Sequence, residues 1–104
     1  MARGNAETIP QTVLESAARM LRVLSHPDRL RIIEILHVEA VPVGRLADRI
    51  GLSQSAVSQH LTNMCAHGIV SRRREGRNVL YEVTNRNALV LLDCLRRHGA
   101  GGPT

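Results

Sequence analysis

Lysine, phenylalanine and tryptophan are absent from this 104-residue chain, and Tyr81 is its only tyrosine. A core must therefore be assembled from Leu, Ile, Val, Ala and Met, a supply that suits packed helices better than an aromatic-rich sandwich. Cysteine is nearly missing as well. Cys65 and Cys94 are too few and too far apart for a disulfide framework or a CxxC metal knuckle, so reduced thiols are expected. No apolar run reaches the length of a membrane span, and residues 1–12 lack the apolar stretch of a signal peptide. A cytoplasmic protein without membrane contact is expected. The carboxylates are scattered, and there is no Gly-rich phosphate loop, serine elbow or Cys–His pairing, which argues against an enzyme.

What is present is positive charge. Fourteen basic residues, all arginine, stand against nine acidic ones, for a net charge of +5. That balance favours a polyanionic partner, and the guanidinium fork suits phosphates and guanine edges. The length allows one domain with a modest core. Polar, Gly-containing ends at residues 1–8 and 99–104 read as flexible tails around a folded unit of residues 9–98.

Hydrophobic spacing predicts about five helices and a hairpin. Val13, Ala17, Met20, Leu21 and Leu24 form the stripe of a first helix that Pro27 helps to end. Pro27 and Asp28 then open a second, with Leu30, Ile33 and Leu36 inward. Residues 43–50 carry Val43, Leu46, Ala47 and Ile50 on one face before Gly51 turns the chain. Ser53 caps the next helix, which places Val57, Leu61 and Met64 inward and stops at Gly68. Two short helices joined in this way make a helix-turn-helix. Residues 69–74 and 78–83 read as strands around a polar turn, with Val79, Tyr81 and Val83 alternating inward. A last helix, residues 86–98, places Ala88, Leu91, Leu92 and Leu95 on one stripe.

Removing the inward positions of the fourth helix leaves Gln54, Ser55, Ser58, Gln59, Thr62 and Asn63 outside. Such short, uncharged side chains can approach base edges, whereas a merely solvated helix usually carries Glu with Arg or Lys. Arg72, Arg73, Arg74 and Arg77 follow at once on the hairpin, where a wing would straddle a DNA backbone. Arg77, at the tip, is the leading phosphate or minor-groove candidate. Arg73 is the weakest, because strand alternation turns it away from its neighbours.

Over residues 17–95 the chain resembles the ArsR/SmtB family. His26-Pro27-Asp28-Arg29-Leu30-Arg31-Ile32 is similar to the family's second-helix entry, and Leu52-Ser53-Gln54-Ser55-Ala56-Val57-Ser58-Gln59-His60-Leu61 to its recognition helix. His67-Gly68-Ile69-Val70 and Arg73-Arg74-Glu75-Gly76-Arg77-Asn78-Val79-Leu80-Tyr81 resemble its exit and wing. The resemblance implies a winged helix-turn-helix, a homodimer formed by the first and last helices, double-stranded DNA as partner, and a repressor released by an inducer. It adds Ser53 to the DNA-facing set and makes His60 a structural or phosphate-contacting residue.

The inducer is where the chain departs from that family. Alignment on Leu46 puts Pro42 and Gly44 where arsenic and cadmium sensors carry Cys-x-Cys, so no thiolate pair is available for a soft metal. Asn85, Asn87, His98 and Gly101 stand where zinc sensors carry their ligands, and His98 alone matches; one ligand cannot build a tetrahedral site. No metal or cofactor is expected, and the inducer is unidentified. His26 and His67 read as capping or packing residues. Cys65 reads as a small buried hydrophobe, or as a second sensor thiol should the fold bring it near Cys94, and Cys94 either packs at the dimer interface or serves as a sensor thiol.

Overall fold

A proline loses nothing at a helix start, where the backbone N–H has no intrahelical partner. In the computed structural model, which describes residues 8–99, Pro27 takes that place in the central helix. The order is α1 (Gln11–Leu24), α2 (Pro27–Val38), α3 (Val43–Ile50), α4 (Gln54–Ala66), β1 (Val70–Glu75), β2 (Asn78–Val83) and α5 (Arg86–Gly99). Apart from Thr8 and Gly99, the expected tails lie outside the described residues.

Helix α2 packs against α1, α3, α5 and β2. Being covered on several sides, it buries Ile32 and Ile35 as well as the expected Ile33 and Leu36, while Leu30 is only half-buried. Leu46 and Ala47 from α3, Val57, Leu61 and Met64 from α4, and Ile69 complete an entirely aliphatic core. Gly51 ends α3 in the left-handed region, with φ of 84°, where its N–H donates to the Ala47 carbonyl at 2.8 Å. Two residues on, the Ser53 hydroxyl accepts from the Ala56 amide at 3.1 Å and starts α4. The helix-turn-helix thus rests on one backbone conformation and one cap.

The hairpin pairs Val70 with Val83, Arg72 with Tyr81 and Glu75 with Asn78, leaving Gly76 and Arg77 as a two-residue turn with Gly76 at φ of 64°. Strand β1 starts one residue later than the sequence suggests. Ile69 is used otherwise: its N–H donates to the Met64 carbonyl, and its own carbonyl accepts from Thr84 and Asn85. It therefore closes α4 and anchors the approach to α5, which Asn85 caps by accepting from the amides of Asn87 at 2.9 Å and Ala88 at 3.3 Å.

The two terminal helices bury less than their stripes offer. Val23 and Leu24 of α1 are buried and Met20 is partly so, but Ala17 is exposed, and Val13, Leu14 and Leu21 are 52%, 46% and 50% exposed. On α5, Ala88 and Leu92 are buried, whereas Val90 and Leu95 remain 60% and 44% exposed.

The two faces of α4 make a direct stability contrast. Leu61 is 1% exposed and Thr62, its neighbour, lies outside. Leu61→Ala should cost about 2–5 kcal/mol in chemical denaturation through the cavity it leaves, and Thr62→Ala less than about 0.5 kcal/mol. Equal costs would show that α4 is rotated from the orientation described.

Candidate nucleic-acid interface

Because Val57, Leu61 and Met64 are sealed inside, helix α4 can present only its opposite side. Ser53, Gln54, Ser55, Ser58, Gln59 and Thr62 are all exposed there. Ser55, Ser58, Gln59 and Thr62 line one shallow, open depression of about 510 Å³ together with Asn63 and Ala66. The Gln54 side chain lies over Gly44 of α3, its Nε2 3.4 Å from where a Cβ would stand, an ordinary contact distance.

The wing sorts its arginines by strand alternation. Arg72 and Arg74 share the face of their cross-strand partners Tyr81 and Val79. Arg73, on the other face, is held by Glu75 at 2.7 Å and Glu82 at 3.5 Å. Among the described residues, Arg72, Arg74 and Arg77 have no carboxylate partner, and all three are exposed. The wing therefore offers three uncommitted cations beside a nearly neutral helix.

His60 and Asn63, two of the candidates for DNA contact, are turned partly inward to a residue that the sequence singled out only within a motif. The Arg29 guanidinium, in the first turn of α2, donates through Nε to His60 Nδ1 at 3.1 Å and through Nη1 to Asn63 Oδ1 at 3.2 Å. The same Nη1 donates to the Val23 carbonyl at 3.0 Å. Arg29 thus ties together the end of α1, the start of α2 and the middle of α4. One signal was available: a cation in the first turn of a helix opposes the macrodipole and needs other partners to hold it.

His26 caps α2, its Nδ1 accepting from the Asp28 amide at 3.2 Å, and its ring meets His60 edge to face at 4.6 Å. Ligand atoms of His26, Asp28 and His60 lie within 4.8 Å of one another, close enough to raise the question of a metal. The hydrogen bonds oppose it. Arg29 can only donate, so His60 Nδ1 is a lone pair, and the neutral ring carries its proton on Nε2, the atom facing Asp28 Oδ2 at 4.0 Å. A metal at Nε2 would have to take the place of that proton, against the usual pattern in which a ligating histidine donates through its other nitrogen.

The metal positions suggested by the family resemblance hold other residues. Pro42 stands at the N-cap position of α3 without a side-chain hydrogen bond, Gly44 lies beneath the Gln54 side chain, Asn85 caps α5, and His98 is exposed near the end of α5. Asn87, exposed in the first turn of α5, offers an amide rather than an imidazole; Gly101 falls outside the described residues. Cys65 is half-buried against the core, and burial pushes its thiol up despite the nearby Arg72. Cys94 is exposed on α5. His67 ends α4, its Nδ1 2.9 Å from the Asn63 carbonyl.

This arrangement has close counterparts. Residues 24–73 match the family model HTH_20, a helix-turn-helix domain. The nodulation protein NolR of Rhizobium meliloti is 41% identical over 81 residues, which span 78% of this chain and 66% of NolR. The structure of HlyU from Vibrio cholerae N16961 superposes with a TM-score of 0.81 at 30% identity, covering 88% of this chain and 99% of HlyU. The HTH-type transcriptional repressor SmtB of Mycobacterium tuberculosis (strain H37Rv) is 35% identical over 91 residues, 86% of this chain and 67% of SmtB. Sharing sequence with SmtB across nearly all of its winged helix-turn-helix, the chain belongs to the ArsR/SmtB family of DNA-binding transcriptional regulators.

Proposed function

We propose that the chain is a cytoplasmic, non-enzymatic repressor that binds its operator as a homodimer. The observation that carries this reading is the uncharged, outward face of α4 set beside a wing with three unpartnered arginines. Ser53, Gln54, Ser55, Ser58, Gln59 and Thr62 enter the major groove, where glutamine suits adenine and the hydroxyls suit bases or phosphates. Arg72, Arg74 and Arg77 hold the backbone. A winged helix used only for protein contacts would have no need of such concentrated, unpaired charge.

The second copy covers the apolar surface left open on α1 and α5. Ile9, Val13, Leu14, Leu21, Val90 and Leu95 are each 44–60% exposed, more than scattered surface hydrophobes explain. Isologous pairing of these helices presents two copies of α4 to half-sites about one helical turn apart, roughly 34 Å. The operator is then blocked to other proteins, as the repressor name of the SmtB relative implies for that protein.

Light scattering at micromolar concentration should give twice the 11.5 kDa chain mass, and Leu21→Glu should lower it towards one chain. A monomeric parent protein would remove the dimer. Arg77→Ala should weaken binding to every sequence and reduce the salt slope by about one unit, since one phosphate contact is lost. Gln54→Ala and Ser58→Ala should instead shift which base is preferred, by about 1–3 kcal/mol at one position. Selection from a random DNA pool measures both, and an unchanged slope with intact folding takes Arg77 off the contact set. Of the two thiols, exposed Cys94 is the one open to an oxidant or soft metal. If a thiol cue exists, Cys94→Ser should make operator affinity indifferent to oxidant; a response retained in that variant would place the cue elsewhere.

A further inference from the structure

We propose that Arg29 is the positioning residue of the DNA-reading face, and that its full hold on α4 requires the neutral form of His60. The inference rests on the reading of α4 as the recognition helix. The buried residues Val57, Leu61 and Met64 attach α4 to the core, but aliphatic contacts are non-directional and leave small rotations about the helix axis cheap. Hydrogen bonds from a rigid guanidinium are directional. Arg29 makes them to two side chains one turn apart on α4, His60 and Asn63, and to the Val23 carbonyl at the end of α1. Rotation of α4 would stretch both side-chain bonds together. Ser55, Ser58, Gln59 and Thr62 are placed around the helix by the same rotation, and base-edge contacts tolerate little of it.

The dependence on protonation follows from the atoms involved. Arg29 has no acceptor and no proton to lose, so its bond to Nδ1 requires a lone pair there. A second proton on His60 would sit on that atom, facing a cation. The groups around the ring are His26 and Asp28 at the start of α2, Arg29, and Asn63 on α4. Burial, then His26, then Arg29 lower the His60 pKa below the ordinary histidine value, with Asp28 opposing. The folded chain therefore binds this proton less readily than the unfolded chain. The contact is fully stabilising above the ordinary histidine value of about 6.5 and is lost as the pH falls through the lowered one.

The test measures the ratio of operator to scrambled-site affinity, which cancels the general gain of charge in acid. For the parent protein the ratio should fall by up to about tenfold, the size of one mismatched base pair, as the pH is lowered from about 7.5 through the lowered His60 value. Arg29→Lys should lose about tenfold throughout that range with an unchanged salt slope, because no phosphate contact is removed. His60→Leu should lose the ratio likewise. His60→Asn, which keeps an acceptor where Nδ1 stands and cannot be protonated in this range, should restore it and make it flat with pH. A parent-like fall in His60→Asn, or a parent-like ratio in Arg29→Lys, would overturn the proposal. If the parent protein prefers no sequence at all, the repressor reading fails, and amide exchange without DNA then decides the positioning role. Arg29→Lys should speed exchange along residues 59–63 at least about fivefold; unchanged exchange would overturn it.

Discussion

Everything that faces outward on α4 is determined by what cannot. Val57, Leu61 and Met64 recur on one side of a helix of 13 residues, and with no exposure above 1% they leave no freedom about which side meets solvent. The core they enter contains no aromatic ring, so it is built from many small aliphatic contacts rather than a few large anchors. Such a core fixes which face is presented well and fine orientation poorly. The polar ties around Arg29 supply the direction that the hydrocarbon lacks.

The parts of the fold legible in the sequence are those specified locally. Gly51 and Ser53 mark the turn of the helix-turn-helix by single-residue chemistry, one by its positive φ and the other by its cap. Gly76 marks the turn of the wing in the same way, but the expected inward alternation is blurred: every residue of β2 after Asn78 is half-buried, and of Val79, Tyr81 and Val83 only the last two pack against the core. Less legible was what each face meets. The α1 stripe was visible, but periodicity gives a face without naming its partner, and Val13, Ala17 and Leu21 stay exposed among the described residues. Ile69 read as a strand residue because it is apolar and precedes β-formers, yet its hydrogen bonds join α4 to the segment before α5. The ties from Arg29 to His60 and Asn63 cross 31 and 34 residues, a separation at which spacing carries no signal.

The metal positions suggested by the family resemblance hold residues of different kinds. Asn85 has a structural duty as the cap of α5, while Pro42 sits at the start of α3 without a side-chain hydrogen bond and Gly44 lies beneath Gln54. None of the three supplies a thiolate or an imidazole.

The hairpin is joined to the body at a further point: Tyr81 of β2 donates its amide to the Val41 carbonyl at 3.0 Å, and these residues form an isolated bridge just before α3. Val41 itself is 1% exposed. The wing is therefore a third strand-like contact short of a free ribbon, braced where the helix-turn-helix begins. Its distance from α4 is set on folding, before any DNA is met. Ordering a loop at an interface would cost binding free energy for each side chain and backbone unit immobilised, and a braced wing has already met much of that cost. With α4 in the groove and the wing arginines on the backbone, as proposed above, that preset span would make binding sensitive to the shape of the duplex as well as to its bases.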